Sequence, residues 1–134
     1  MTTCLLDTNI FIYAAGSPHA HKQPCVDILR SVAQGELGAT TNTEVLQEVM
    51  HLFSRRRRRE QGVQLCRSIV DMLPGILPID NRVMTRVFDL AGTYPDHSIR
   101  DLVHVAVMQA NGIPTICSVD ADFDRIQGIE RLIP

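Results

Sequence analysis

The sequence predicts an α/β fold with a central parallel sheet that has helices on both faces, and three observations favour that class. Short apolar runs typical of buried strands alternate with segments whose apolar residues have helical spacing. Such alternation is typical of a parallel sheet covered by helices. With 134 residues, 45% of them hydrophobic and 21% charged, the chain fits one globular domain, residues 1–134, around one core.

The predicted strands are apolar runs that stop at polar residues or turns. The first begins near Thr2 and ends at Asp7, which is too short a run for a helix. The later runs end at similar signals, and the last one is the shortest and weakest, so a sheet of four to five strands is expected. The predicted strands span residues 2–6, 37–41, 76–79, 114–119 and 129–133.

The predicted helices are recognised by apolar residues three and four positions apart and by their end signals. Thr41-x-x-Glu44 has the form of a capping box and opens the third helix, which runs on into a series of arginines. Ser98 caps the last helix, which is apolar nearly all round and therefore expected to be buried. The predicted helices span residues 10–15, 21–34, 41 to the arginine run, 61–73, 81–91 and 99–110.

Composition and motifs exclude several classes of protein. No apolar stretch approaches the ~20 residues that cross a bilayer, and no signal-like segment opens the chain, so a cytoplasmic protein with no membrane partner is expected. The four cysteines form no C-x-x-C pair and are expected to be small buried hydrophobes. Glycine-rich phosphate loops and the G-x-S-x-G nucleophile motif are absent from the sequence.

Two carboxylates each follow a predicted strand, Asp7 after the first and Asp120 after the fourth. Ligands of open α/β sheets bind beside the carboxyl ends of the strands, so both are candidates for one site. The alternative for Asp7 is an N-cap of the next helix. Asp122 and Asp124 extend Asp120 into a D-x-D-x-D string, but Arg125 stands where a calcium loop needs glycine. They are expected to be caps or groups beside the site.

Two further carboxylates are placed on helices. Glu48 borders the apolar arc of the third helix, where a lone charge is costly to desolvate, whereas Glu44 lies further into the polar face. The alternative for Glu48 is a salt bridge with an arginine at the rim. Asp101 lies in the first turn of the apolar last helix, where it either complements the helix dipole in a Ser98-x-x-Asp101 cap or needs a cation. His104 is expected to be a core histidine or a neighbour of the site.

Four carboxylates in one pocket would repel, since two charges about 4 Å apart cost about 4 kcal/mol even at an effective dielectric of ~20. Hard oxygen ligands suit Mg²⁺ or Mn²⁺, which relieves that repulsion. The sequence therefore predicts a site for Mg²⁺ (or Mn²⁺) bound directly by Asp7, Asp101 and Asp120, with Glu48 completing the site or orienting a water.

The chain resembles the PIN-domain family, most closely its VapC-type toxin ribonucleases, in four segments: residues 6–9, 45–49, 100–106 and 118–123. The resemblance implies a three-layer α/β/α fold, Mg²⁺- or Mn²⁺-dependent RNA cleavage, a homodimer and a cognate antitoxin. Family members usually have Thr at the position of Ser118, and the hydroxyl is retained. The implied acidic quartet is Asp7, Glu48, Asp101 and Asp120, and the implied polar supports are Thr8, Asn9 and Ser118.

Five consecutive arginines at residues 55–59 are not a hallmark of that family. One interpretation is a solvated helix end, where cations also suit the dipole. The functional alternatives are contacts to RNA phosphates or to an acidic antitoxin segment. Aromatic residues make up only 4% and Trp is absent, so RNA recognition would depend on backbone and shape. The candidate contacts are Arg55, Arg56, Arg58 and Arg59.

The sequence thus predicts a metal-dependent endoribonuclease, the toxin of a type II toxin–antitoxin module. Two alternatives share much of the reasoning. One is a catalytically inactive PIN-like regulator that binds RNA or protein, which the complete quartet of carboxylates disfavours. The other is a metal-dependent phosphatase for small metabolites, which would leave the arginine run unexplained.

Overall fold

A computed structural model describes residues 3–134, and Met1 and Thr2, where the predicted first strand begins, lie outside the described residues. The predicted α/β class is confirmed, with a parallel four-stranded sheet in the order β2-β1-β3-β4. Helices flank this sheet, as the three-layer expectation requires. The strands are β1 Thr3–Leu6, β2 Gly38–Thr40, β3 Thr115–Cys117 and β4 Glu130–Leu132.

The helices alternate with the strands largely as predicted. The last helix has the predicted cap, because the Ser98 hydroxyl oxygen accepts a 3.1 Å hydrogen bond from the Asp101 N–H. It ends at Gly112, whose φ of 64° is the left-handed conformation that glycine adopts readily. The helices are α1 Thr8–Ala15, α2 Lys22–Ala33, α3 Thr43–Arg55, α4 Arg59–Met72, α5 Asn81–Thr93 and α6 Ile99–Asn111, with a 3₁₀ helix at Ala121–Arg125.

The two faces of the sheet bury two separate apolar clusters, as the alternation of side chains along a strand requires. In β1, Leu5 packs into the cluster made with α5 and α6, whereas Cys4 and Leu6 pack into the cluster made with α1 to α4. Leu5 and Leu6 are completely buried, and burying such a side chain is worth about 1.5–3 kcal/mol. β1 is therefore packed on both faces, which also fixes the position of Asp7, the residue that follows it.

The strand predicted at residues 76–79 is not formed. Leu77 makes only an isolated parallel bridge to Asn42, in which its N–H donates to the Thr41 carbonyl at 2.9 Å. On the other side of the bridge α3 begins at Thr43, so the partner segment ends and the ladder cannot continue. Within residues 3–134 the sheet consequently has four strands.

The predicted capping box at Thr41 is also wrong by one residue. Asn42 caps α3, because its side-chain oxygen accepts a 3.2 Å hydrogen bond from the Val45 N–H. The buried Thr41 hydroxyl instead donates to the Leu6 carbonyl at 2.8 Å, across to the end of β1. Glu44 thus has no capping partner at Thr41.

The arginine run forms the connection between α3 and α4. It was predicted to extend the third helix, but α3 ends at Arg55 and α4 begins at Arg59, two residues before its predicted start. Arg57, between them, has a φ of 56°, which is unusual for a residue with a Cβ atom. The two helices then approach closely, since a Cβ atom on Gly62 would lie 2.7 Å from the Cβ atom of Phe53.

The remaining expectations concern membranes and cysteines. Within residues 3–134, no helix has both the length and the apolar character needed to cross a bilayer. All four cysteines are buried, as predicted, and none of them forms a disulfide. Burial, with the neighbouring Cys4 and Cys25, raises the pKa of the Cys117 thiol to about 12. These thiols therefore act as small apolar side chains.

Candidate active site

The four predicted carboxylates line one cavity of about 230 Å³ at the carboxyl ends of β1 and β3. Asp7 follows β1 directly, and Asp120 follows β3 and caps the 3₁₀ helix. Glu48 reaches the cavity from the middle of α3 and Asp101 from the first turn of α6. The other lining residues are Thr8, Asn9, Ile12, Tyr13, Leu52, Arg100 and His104.

Asp7 is the most firmly held of these carboxylates. Its Oδ1 atom accepts a 2.8 Å hydrogen bond from the Thr8 N–H, so the predicted capping alternative is also realised. Its Oδ2 atom accepts from the Ser118 hydroxyl at 2.7 Å and from the Asn9 amide at 3.1 Å. The side chain is nearly buried, and these donors compensate its charge. The orientation of the carboxylate is therefore set by the protein.

Ser118 links the two carboxylates that follow strands. Besides donating to Asp7, its buried hydroxyl oxygen accepts hydrogen bonds from the Asp120 N–H at 3.0 Å and the Asn9 amide at 3.1 Å. Asn9 in turn accepts from the Val119 N–H at 3.3 Å through its side-chain oxygen. The two polar residues of the resembling motifs thus connect the ends of β1 and β3.

Glu48 has two partners at the cavity wall. It accepts a hydrogen bond from the Thr8 hydroxyl through Oε2, and its Oε1 atom lies 3.4 Å from an Arg100 guanidinium nitrogen. The Glu48 side chain is 15% exposed, whereas that of Arg100 is 56% exposed. The rim salt bridge considered for Glu48 is therefore present, and it lies on the same cavity as the other carboxylates. Arg100 keeps most of its donors free for a ligand.

Three carboxylates approach closely enough to share an ion. Oxygens of Asp101, Asp120 and Asp122 lie within 4.8 Å of one another. Asp122 was expected to be a cap or a group beside the site, and the 3₁₀ helix places one of its oxygens in this group of three. Asp7 lines the cavity but is not part of the group of three, and Asp124 is turned away to Arg131, with bonds of 2.9 and 3.0 Å.

The pKa of Asp101 reflects the burial and the negative charge of the cavity. Desolvation by burial and the charges of Asp120 and Asp7 raise its pKa from 3.8 to about 6, against a smaller opposing effect of His104. A carboxyl group whose negative form is destabilised by like charges is a group that a cation would stabilise. Carboxylate oxygens are also the donors that Mg²⁺ and Mn²⁺ prefer. The residues present therefore fit a hard divalent metal.

Four residues that line the cavity were not predicted to belong to a site: Ile12, Tyr13, Leu52 and Arg100. Asn42, which was not predicted either, lies behind the cavity, with its side-chain nitrogen 3.0 Å from Nδ1 of the buried His104. The signal for Ile12 and Tyr13 is their position four residues, about one turn, after Thr8 and Asn9 on α1, which turns them toward the same side.

Comparison with known proteins places these features in a family. The family model described as the PIN domain matches residues 4–129. Two relatives are each 34% identical over 96% of this chain and 98% of their own length: Ribonuclease VapC13 of Mycobacterium tuberculosis and VapC ribonuclease Mb1869c of Mycobacterium bovis. Ribonuclease VapC7 of Mycobacterium tuberculosis is 30% identical over 97% of this chain and 90% of its own.

Solved structures show the same fold at lower identity. VapBC2 from Rickettsia felis, solved bound to a DNA fragment from its promoter, superposes with a TM-score of 0.77 at 18% identity, covering 98% of both chains. VapC20 of Mycobacterium tuberculosis, a toxin that cleaves the sarcin–ricin loop, has a TM-score of 0.75 at 18% identity and covers 90% of this chain and 92% of its own. The sheet and its helices are therefore shared across distant sequences.

Proposed function

This chain belongs to the PIN-domain family, among its VapC-type toxin ribonucleases, and on that premise we propose that it is a metal-dependent endoribonuclease. The convergence of Asp7, Glu48, Asp101 and Asp120 on one cavity is the observation that carries the proposal. RNA phosphodiester bonds are the proposed substrate, and Mg²⁺ or Mn²⁺ is the proposed cofactor. The relatives named as ribonucleases support the reaction class.

The metal is proposed to be held by Asp101 and Asp120, with Asp122 as a further oxygen ligand. Their close oxygens and the raised pKa of Asp101 support this assignment. Asp7 is proposed as the remaining ligand, because its fixed carboxylate lines the same cavity. When bound, such an ion lowers the pKa of a water and offsets negative charge on phosphoryl oxygens.

Two side chains beside the proposed metal site, Glu48 and Arg100, are proposed to assist the reaction. Glu48, fixed by the Thr8 hydroxyl, is proposed to orient the attacking water and accept its proton. Arg100, more than half exposed beside Glu48, donates hydrogen bonds to the scissile phosphate. The water oxygen forms the new bond to phosphorus and the 3′ oxygen leaves with a proton from solvent. The expected products carry a 5′-phosphate and a 3′-hydroxyl.

The test is cleavage of RNA by the purified protein with Mg²⁺ or Mn²⁺, with and without EDTA. Asp7→Asn is expected to abolish cleavage while the fold survives, whereas Asp89→Asn, on the exposed face of α5, keeps full activity. Mapping RNA 5′ ends in cells that express wild type or Asp101→Asn identifies the target. Undiminished cleavage by Asp7→Asn would reject the assignment.

The proposed partners are a cognate antitoxin and a second copy of this chain, acting in the cytoplasm. Solved relatives of the same fold include toxin–antitoxin complexes, from Klebsiella pneumoniae among others. For the homodimer we propose the exposed apolar side chains Phe88 and Ile99, 68% and 55% exposed on the packed pair α5 and α6. Phe88→Asp is expected to shift the protein toward monomer in sedimentation experiments, and an unchanged mass would refute that interface.

A further inference from the structure

The turn between α3 and α4 carries a concentration of positive charge that the proposed chemistry does not use. We call it the arginine turn, and it comprises five exposed residues. Within residues 3–134, none of the five forms a salt bridge with a carboxylate. Their counter-charge must therefore come from solvent or from a ligand. The residues of the arginine turn are Arg55, Arg56, Arg57, Arg58 and Arg59.

The arginine turn borders a hollow that adjoins the acidic cavity. Arg56 and Arg58 line this hollow, and Ile12 lines both the hollow and the cavity. On α3, Leu52 faces the cavity and its neighbour Phe53 faces the hollow. A helix rises 1.5 Å per residue, so the backbone of Arg56 lies about 12 Å along α3 from that of Glu48. One continuous surface connects the carboxylates with the arginines.

The local structure indicates that Arg57, Arg58 and Arg59 are not placed for stability. Arg58 stands at the N-cap of α4 without a side-chain cap hydrogen bond, and Arg59 is the first residue of that helix. Cations at a helix N-terminus oppose the helix dipole. Arg57 adopts a left-handed backbone that disfavours residues with a Cβ atom. A solvated helix end explains Arg55 and Arg56, the last residue and the C-cap of α3, but it does not explain Arg57, Arg58 and Arg59.

We infer that Arg56 and Arg58 bind backbone phosphates of the RNA strand on one side of the scissile bond, an inference that rests on the proposed function. A strand whose phosphodiester lies in the cavity must continue over the surface beside it, and the hollow is such a surface. Arginine forms paired hydrogen bonds to phosphate oxygens. Among the described residues that line the hollow, only Phe53 is aromatic, so we expect contact chiefly to the RNA backbone and not to a series of stacked bases.

The experiment measures binding of a short unstructured RNA to Asp101→Asn protein, in which turnover is removed. Fluorescence anisotropy at several salt concentrations compares three proteins: this background, the background with Arg56→Gln and Arg58→Gln, and the background with Arg82→Gln and Arg86→Gln. The last pair removes the same charge from exposed positions on α5. Poly-glutamate serves as a second probe, because it carries negative charge on a peptide and not on phosphates.

Loss of two phosphate contacts is expected to weaken RNA binding about tenfold and to lower the salt slope by about 1.4, with little change in the α5 control. Equal RNA binding by the two double variants would overturn the inference. Loss of poly-glutamate binding by the Arg56 and Arg58 double variant, with RNA binding retained, would also overturn the inference, since the arginine turn would then bind an acidic protein segment. Absence of RNA cleavage by the wild-type protein overturns the proposed function. If the wild type cleaves RNA but Arg56→Gln with Arg58→Gln leaves RNA binding unchanged, only this inference is overturned.

Discussion

Nε2 of His104 lies 3.4 Å from Oδ1 of Asp7. Asn42, the N-cap of α3, determines which of the two ring nitrogens of His104 carries the hydrogen. The Asn42 side-chain oxygen is occupied by the Val45 N–H, so its nitrogen faces Nδ1 of His104 at 3.0 Å. An amide nitrogen only donates, and Nδ1 therefore accepts. The remaining hydrogen therefore lies on Nε2, the ring nitrogen near Asp7. A buried path thus connects the start of α3 to the carboxylate after β1.

This arrangement predicts the Nε2–H tautomer for His104, observable as an unprotonated Nδ1 in long-range ¹H–¹⁵N correlation spectra at neutral pH. Asn42→Leu removes both the cap of α3 and the donor to Nδ1, and we expect it to cost about 1–3 kcal/mol in the free energy of unfolding. Asn81→Leu, at an exposed position where α5 begins, is the control and should cost less. An Nδ1–H tautomer in the wild type would contradict the assignment.

Ser118→Ala tests the link between the two strand ends. The variant loses the hydrogen bond from Ser118 to Asp7 and leaves the Asp120 N–H without an acceptor, while the Asn9 amide keeps only its bond to Asp7. We expect a loss of about 1–3 kcal/mol in urea unfolding, together with reduced RNA cleavage because Asp7 is less firmly held. Ser68→Ala, which removes an exposed hydroxyl on α4, should change stability by less than about 0.5 kcal/mol. Similar stabilities for the two variants would refute the role of Ser118.

The raised pKa of Asp101 predicts a specific pH dependence of stability. Because its pKa is about 6 in the folded chain and 3.8 in the absence of neighbours, the folded state holds this proton more tightly. This group's contribution to stability therefore falls as pH rises from about 4 to 6 and levels off above that range. In chelator, Asp101→Asn should gain stability relative to wild type across that window, as measured by thermal unfolding.

A control and a metal titration accompany that measurement. Asp71→Asn, at an exposed position on α4, should follow the wild-type curve at every pH. At pH 7, Mn²⁺ should raise the melting temperature of the wild type and have a smaller effect on Asp101→Asn, because a ligand that binds the folded state stabilises it. A constant difference between Asp101→Asn and wild type from pH 4 to 7 would show that Asp101 titrates normally.

Two glycine substitutions should have opposite effects on stability. A Cβ atom at Gly62 would lie 2.7 Å from the Cβ atom of Phe53, which cannot rotate away. Gly62→Ala should therefore destabilise the protein by about 1–3 kcal/mol despite the better helix propensity of alanine. Gly92→Ala, in α5 with open space around it, should stabilise by roughly 0.5–1 kcal/mol. Urea unfolding of both variants measures the two changes in the free energy of unfolding. A Gly62→Ala variant more stable than the wild type would contradict the prediction and mean that α3 and α4 can move apart at little cost.

Much of the arrangement could be predicted because local signals mark it. Asp7 and Asp120 follow apolar strands, and Asp101 opens an apolar helix, so their positions at one sheet edge follow from topology. Asp122 could not be placed in this way. Its approach depends on a 3₁₀ turn stabilised by the buried Phe123 and by the hydrogen bond from its own N–H to Asp120, which are tertiary features.

The errors have the same origin. Thr41 and Asn42 are both good capping residues, and only the Leu6 carbonyl opposite Thr41 leaves Asn42 as the cap. The run at residues 76–79 has strand character, but the segment opposite it turns into α3 at Thr43, so only Leu77 finds a partner. Local propensity is decided in both cases by a partner that is distant in the sequence.

Ser118 lies 111 residues after Asp7, and β3 is the last of the two neighbours of β1 to be synthesised. On the ribosome, β1 and β2 emerge before β3, so the hydroxyl that orients the first carboxylate is added 111 residues after that carboxylate. A nascent chain that has not reached Ser118 also lacks the proposed ligand Asp120, so under the proposed function we expect it to be unable to cleave the messenger RNA that encodes it.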